Sequence, residues 1–380
     1  MNKKKLRVCY LATTPIPSRA AYSVHVMKMC QSFTKADCVV CLISPEMSDK
    51  EEGVLNNYKY YGVSAKFEHL FVPWPQIKGI AYIYGLRSYR LIRAFKPDIV
   101  YGRFLFGVFV SALFGIPSIF ESHAPIADAG KISENIFRLL IKLQTFKQLI
   151  VISGALKQWY ISQYPELIGK IVVAPDGADE LSDICKISFV DDTRIQVGYI
   201  GQLYEGKGLE VIEQIAPKCP WANFHIIGGT EKDISRWTPR FDSANVMMYG
   251  YLPHSEVGIY QASFDVLLAP YQEHVNAYGG KGDIGKWMSP LKIFEYMAAG
   301  KAMLVSDLPV LREVLEHEKT AILCPSIDYE AWKSQLWRLS QSKVIRERLG
   351  NNARDRFKEL YTWDMRAAGL KEKIESLIQY

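Results

Sequence analysis

The residues of this chain best equipped for chemistry lie between Met288 and Pro309, in the stretch M-S-P-L-K-I-F-E-Y-M-A-A-G-K-A-M-L-V-S-D-L-P. Ile293, Phe294, Met297 and Ala298 recur at helical spacing, Gly300 stands where a left-handed cap would end the helix, and Ala302 to Val305 form a short apolar strand. Ser289 and Pro290 precede the first turn. A helix start of this kind leaves backbone N–H groups unpaired at the positive end of the dipole, where an anion such as a diphosphate can sit. Lys292 adds a full charge there. Glu295 is a carboxylate among apolar neighbours, and burying it unpaired would be unfavourable. Facing a cleft it could accept two hydroxyl hydrogen bonds, as from a ribose diol; the alternative is an exposed helical Glu.

Two further groups have suitable types and places. G-Q-L-Y-E-G-K-G-L-E-V-I begins at Gly201, directly after the strand-like Ile195 to Ile200. Its three glycines allow a backbone to approach a ligand closely, and Lys207 supplies charge without a bulky neighbour. His123 ends the strand I-P-S-I-F-E-S-H, and in open α/β sheets ligand-facing residues collect at the carboxyl ends of strands. A His satisfied by loop backbone is the alternative there. Glu121, two residues earlier, points the same way only if the strand continues. Arg19, in the loop after the first strand, could meet a phosphate or be solvated. The Gly-rich Y-Q-E-H-V-N-A-Y-G-G-K-G-D-I-G-K-W, from Tyr271, reads as a mobile loop offering Glu273, His274, Asp283 and Lys286.

These groups need strands and helices to hold them. Leu6 to Ala12, Cys38 to Ser44 and Lys66 to Val72 read as strands, followed by a basic amphipathic helix up to Phe95. Further strands are expected at Ile99 to Tyr101, Ile116 to His123, Leu149 to Ser153, Ile195 to Ile200, Phe224 to Ile227, Val246 to Leu252 and Asp265 to Pro270. L-R-E-V-L-E-H, from Leu311, is expected to be a helix, and Leu349 to Tyr380 helical with a break near Thr362. Polar, irregular Glu180 to Thr193 reads as a linker. At 380 residues the chain suits two domains rather than one.

Composition narrows the possibilities. Apolar residues make up 49% and charged residues 23%, which is ordinary for a globular protein with a large core. Residues 1–180 carry 22 Lys and Arg against 14 Asp and Glu, the remainder 24 against 26, so the first half is the basic half. Aromatics and arginines on the helix before Phe95 could lie on an anionic membrane surface or form an ordinary packing helix with a solvated basic face. No apolar run is long enough to span a bilayer; Phe104 to Phe120 is broken by Gly107, Gly115 and Pro117. Seven scattered cysteines suggest no disulfide framework, and Cys38 and Cys41 lie in a strand-like run that sends them to opposite faces. With no signal peptide before Met1-Asn-Lys-Lys-Lys, a cytoplasmic location is expected. There is no D-x-D metal signature, zinc spacing, G-x-S-x-G or kinase motif.

P-L-K-I-F-E-Y-M-A-A-G-K-A resembles the donor-site signature of the retaining, nucleotide-sugar-dependent glycosyltransferases of family 4. Glu295 matches the second Glu of that signature, which binds the donor ribose, while Trp287 stands where the first would be. The Ser-Pro-x-Lys form is similar to a branch seen among surface-polysaccharide enzymes, in which Lys292 would approach the diphosphate. Lys207 matches the Lys of the family's G-R-x-x-x-x-K-G, with Gln202 where Arg is usual, and K-I-V-V-A-P-D-G-A-D resembles the exit from its first domain.

The resemblance implies a GT-B fold: α/β, two Rossmann-like domains facing across a cleft, with the C-terminal helix packing back on the N-terminal domain. It implies an acceptor-binding domain over 1–181 plus 362–380 and a donor-binding domain over 182–361. His123, Lys207 and Glu295 would be the catalytic groups. Gly201, Gln202, Lys207, Tyr251, Leu252, Ser289, Leu291, Lys292 and Glu295 would bind the donor. No metal or resident cofactor is implied, the nucleoside-diphosphate-sugar being a co-substrate. The expected partners are that donor, a glycan or lipid-linked acceptor and peripherally an anionic membrane at the inner face of the cell membrane, with no nucleic acid. The expected reaction is hexosyl transfer with retention, in synthesis of a surface polysaccharide or glycoconjugate. The alternatives are an epimerase or hydrolase of the same fold and a non-catalytic subunit.

Overall fold

A computed structural model describes residues 4–48, 50, 51, 53–181, 186–189, 193–276 and 282–378. The chain divides into two compact units, one made of Met1–Asp176 with Trp363–Tyr380 and the other of Gly177–Thr362. The first holds strands β1 (Arg7–Leu11), β2 (Val39–Glu46), β3 (Glu68–Pro73), β4 (Ile99–Gly102), β5 (Ser118–Ser122), β6 (Phe146–Val151) and β7 (Ile171–Val173). Their order is β3-β2-β1-β4-β5-β6-β7, and neighbours pair parallel throughout. The second unit holds β8 (Ile195–Ile200), β9 (Ala222–Ile227), β10 (Val246–Gly250), β11 (Val266–Ala269), β12 (Ala302–Ser306) and β13 (Ile322–Cys324), in the parallel order β10-β9-β8-β11-β12-β13.

Parallel strands end at the same edge, and each sheet reverses its winding once, between β1 and β4 in the first and between β8 and β11 in the second. Such switch points open a crevice beyond the carboxyl ends of the strands, the usual place for a ligand in this architecture. The sheets need cover on both faces, which is why their strands read as apolar runs. In the second unit Ile200, Leu267, Met303, Val305 and Leu323 pack on one face with Phe294 and Met297 of the helix Leu291–Ala299. The alternating residues Val197, Phe224, Leu268, Leu304 and Ile322 pack on the other with Ile212, Trp332 and Leu336.

The expected helix from Leu311 to His317 is a series of turns. Leu311 and Arg312 both donate to the carbonyl of Leu308, and Glu316 N–H is taken by the Thr320 hydroxyl, so no ladder propagates. Its apolar residues Leu311, Val314 and Leu315 are nonetheless buried. The C-terminal helices are Lys343–Leu360 and Trp363–Ile378. Cys38 and Cys41 are buried thiols. Among the described residues no helix is long and apolar enough to cross a membrane.

Candidate active site

In the second unit the groups gather at the β8–β11 switch point. Pro290 caps the helix Leu291–Ala299 without a side-chain hydrogen bond, and the N–H groups of Leu291 and Lys292 have no partner among the described residues. Tyr296 fixes this helix to the sheet: its hydroxyl accepts from Ile200 N–H at 2.8 Å and donates to the Leu268 carbonyl at 3.3 Å. That hold turns Lys292 inward. Its ammonium lies 3.8 Å from the centre of the Tyr199 ring and 5.1 Å from that of Tyr271, sealed from solvent and with no hydrogen bond among the described residues.

Lys207 reaches the same place from the Gly-rich turn, with its nitrogen 5.2 Å from the Tyr271 ring centre and 5.0 Å from that of Tyr204. Two ammonium groups thus share one tyrosine ring. Burial lowers the Lys207 pKa to about 8. Burial, and then the charge of Lys207, push Lys292 well below the ordinary lysine range, while Glu295 pulls it partly back. Aromatic faces attract a cation but do not replace its hydrogen bonds, so this is an incomplete environment that an anion would complete.

The glycines make room for this. A Cβ at Gly201 would stand 2.9 Å from the Lys292 nitrogen, and one at Gly208, where φ is +86°, would stand 1.7 Å from the Pro270 carbonyl oxygen. Gln202 contributes its main chain, its carbonyl accepting from the Tyr199 hydroxyl at 2.7 Å and so aiming that ring. Glu295, one turn beyond Lys292, is half-buried, with no hydrogen bond or ion pair among the described residues. Ser289 is buried just before the helix start. Tyr251, exposed, and Leu252, packed on the core, follow β10, two strands from β8. In the loop before Trp287, Asp283 is committed locally: it pairs with His274 at 2.8 Å and accepts from the N–H groups of Val275 and Gly285. Residues 277–281 of that loop lie outside the described residues.

His123 belongs to the first unit, where it is the outermost member of a buried cluster. Its Nε2 is 2.6 Å from Oε1 of Glu121, so the strand does continue far enough to place both side chains together. The same oxygen receives the Arg366 guanidinium at 3.0 Å and faces His25 Nε2 at 3.0 Å, and Tyr101 donates its hydroxyl to Oε2. His25 Nδ1 meets Asp176 at 2.7 Å. Arg366, on the helix Trp363–Ile378, also donates to the carbonyls of Ala174 and Pro175 at 3.1 and 2.9 Å. Burial would raise the Glu121 pKa, but the Arg366 charge foremost holds it well below the ordinary range. Burial lowers His123 to about 4, with Arg103 acting in the same direction.

His25, Glu121, His123 and Asp176 bring their ligand atoms within 4.8 Å of one another, close enough to raise the question of a metal. The fit is poor. His123 Nε2 and the Arg366 guanidinium lie 2.6 and 3.0 Å from Glu121, the distances of direct hydrogen bonds, and Arg366 already sets a fixed positive charge there. Arg19, the other phosphate candidate of this unit, is engaged by Glu51 at 2.5 and 3.0 Å. Sequence reading passed over Tyr199, Tyr271, His25 and Arg366. Tyr199 lies at the end of β8, Tyr271 just past the end of β11 and the last two in helices, with no local spacing to mark any of them.

Two parallel Rossmann-like sheets in one chain are the architecture of the GT-B fold. Residues 23–180 match the family model described as Glycosyltransferase Family 4, and residues 183–356 match that described as Glycosyl transferases group 1. The chain belongs to the family-4 type of glycosyltransferase. No curated protein matches it. Among solved structures it is similar to a sucrose-phosphate synthase from Thermosynechococcus elongatus, at 14% identity and TM-score 0.75, over 99% of this chain and 100% of that one. It is similar also to HepE from Anabaena in complex with UDP, at 13% identity and TM-score 0.71, over 98% of this chain and all of that one. A third is WaaG, a glycosyltransferase involved in lipopolysaccharide biosynthesis, at 12% identity and TM-score 0.66, over 97% of this chain and 99% of that one. At these identities the likeness speaks for the fold.

Proposed function

We propose that the chain moves a hexosyl unit from a nucleoside-diphosphate-sugar to a hydroxyl of a glycan or lipid-linked acceptor, with retention, in the synthesis of a surface polysaccharide or glycoconjugate. The observation that carries this reading is the Lys292 ammonium, buried without a hydrogen bond beside Lys207 at the start of the helix that bears Glu295. A diphosphate supplies the negative charge that both lysines lack. As the bond to the anomeric carbon breaks, Lys207, Lys292 and the N–H groups of Leu291 and Lys292 stabilise the leaving group, which is catalysis by charge already in place. Gly201 lets the phosphates come close, Ser289 supports the helix start, and the Glu295 carboxylate accepts from the ribose hydroxyls.

Gln202 brings no charge, and Lys292 makes up for it. Tyr251 and Leu252 meet the base through their main chain, and His123 meets a sugar hydroxyl. With two ammonium groups on the diphosphate, the reaction proceeds without an added divalent cation. The resemblance to the retaining family-4 enzymes supports attack by the acceptor on the face the leaving group departs from. The HepE structures hold UDP and UDP-glucose, which makes these the first probes.

The test is a thermal-shift and calorimetric screen of UDP, GDP, TDP, ADP and CMP with their sugars. One nucleoside diphosphate is expected to stabilise the protein, by about 2.7 kcal/mol at a hundredfold excess over its Kd. Lys292→Met and Glu295→Ala should each weaken that effect. No stabilisation by any of them at millimolar concentration sinks the reading, and donor turnover that ignores every acceptor favours a hydrolase or epimerase instead.

A further inference from the structure

We propose that Glu121, backed by Arg366, is a positioning residue that fixes His123 with its proton on Nε2 and so presents Nδ1 as a hydrogen-bond acceptor to a sugar hydroxyl. This rests on the reading of His123 as the group of the first unit that meets substrate. Strand alternation places residues two apart on one side, which brings Glu121 and His123 together at the end of β5. An ionised carboxylate can only accept hydrogen bonds, so the imidazole nitrogen 2.6 Å from Glu121 Oε1 must be the protonated one. The ring is held neutral by its burial and by Arg103, which leaves Nδ1 with its lone pair.

That nitrogen has no partner among the described residues. His123 keeps 15% of its side chain exposed, while His25, Glu121, Asp176 and Arg366 keep 1, 0, 8 and 3%. Among the described residues His123 is the most exposed member of the cluster.

Arg366 makes the arrangement stable. A carboxyl as buried as Glu121 would otherwise take up a proton, become a donor, and release the imidazole to its other tautomer. The guanidinium at 3.0 Å keeps it ionised, and the carbonyls of Ala174 and Pro175 hold the guanidinium. A carboxylate that orients an imidazole in this way sets catalytic rate without touching substrate.

Nitrogen-15 NMR of the full chain labelled at histidine tests this directly, with His123 assigned by its loss in His123→Gln. His123 is expected as the neutral Nε2–H tautomer, its Nδ1 resonance that of a bare lone pair, between pH 5.5 and 8. A proton on Nδ1, or a cationic ring at pH 7, overturns the proposal. This measurement needs no variant of the cluster and no ligand. In Glu121→Gln, whose amide can also donate, the tautomer should become mixed, and in Arg366→Lys it should be kept.

Release of UDP from UDP-glucose, with water as acceptor, should fall about tenfold or more in Glu121→Gln. The Kd for UDP, set in the other unit, should stay within twofold. A changed tautomer with unchanged turnover overturns the functional half of the proposal. Wild-type protein that binds no nucleotide counts against the donor reading alone, since the tautomer is measured without one.

Discussion

Lys292 shows what a single residue gives up for a site. Its ammonium is enclosed by tyrosine rings with no hydrogen bond among the described residues, an arrangement that destabilises the ligand-free fold. Lys292→Met keeps the shape and removes the charge, so the empty protein should melt higher, by about 2–4 °C for each kcal/mol recovered in a unit of this size. The same variant should lose the stabilisation by whichever nucleoside diphosphate the screen selects, and thermal shift reads both effects. The pH dependence follows from the same groups. Burial lowers Lys207 to about 8 and holds Lys292 well below the ordinary lysine range, and a bound diphosphate raises both, so binding takes up protons. UDP affinity should therefore fall as pH rises past about 8. Titrations in buffers of different ionisation enthalpy check this, and proton release there instead of uptake would contradict the assignment.

Among elements, the helix Trp363–Ile378 has the plainest energetic role. It carries Arg366 into the charge of Glu121, and its Asp364 pairs with Ser32 and Lys35 of the helix Ala21–Lys35. Arg366→Met would leave the Glu121 carboxylate buried without its cationic partner, for a loss of about 3–5 kcal/mol in urea denaturation at neutral pH. The deficit should shrink as pH falls below the ordinary Glu value of 4.5, because a protonated Glu121 no longer needs the guanidinium.

Strands were legible in the sequence because parallel strands covered on both faces are largely apolar, as β11 is throughout and β8 is but for Gln196. Leu311 to His317 misled because its helical spacing serves packing by turns instead. Lys207, Lys292 and Glu295 stood out as charges next to glycines or within an apolar helix. The link between Arg366 and Glu121 spans 245 positions, and only the fold brings the two together.

At the scale of the whole molecule the charge is uneven, and in the basic first unit three arginines stand on one helix, Ile80–Phe95. Tyr84, Ser88 and Ile92 face inward, while Arg87, Arg90 and Arg93 are exposed and form no ion pair among the described residues. Leu86 is 54% exposed beside them, and Tyr89 stacks on Phe114, itself 57% exposed at the end of the next helix. Basic and apolar groups on one surface suit an anionic bilayer, and the lipid-linked acceptor proposed above would be found there. Replacing the three arginines with Gln should weaken sedimentation with phosphatidylglycerol vesicles by about 1 kcal/mol per charge, without changing the Kd for UDP. Equal binding to neutral vesicles, or none to either, would argue against this surface.

The tyrosine ring shared by two lysines has a consequence for how long the protein persists. A fold that is least stable when empty spends more time open, and open chains are what cellular proteases cut. On the reading above, the abundance of this protein would follow the supply of its own nucleotide sugar, rising when the donor pool is full and declining when it is drained.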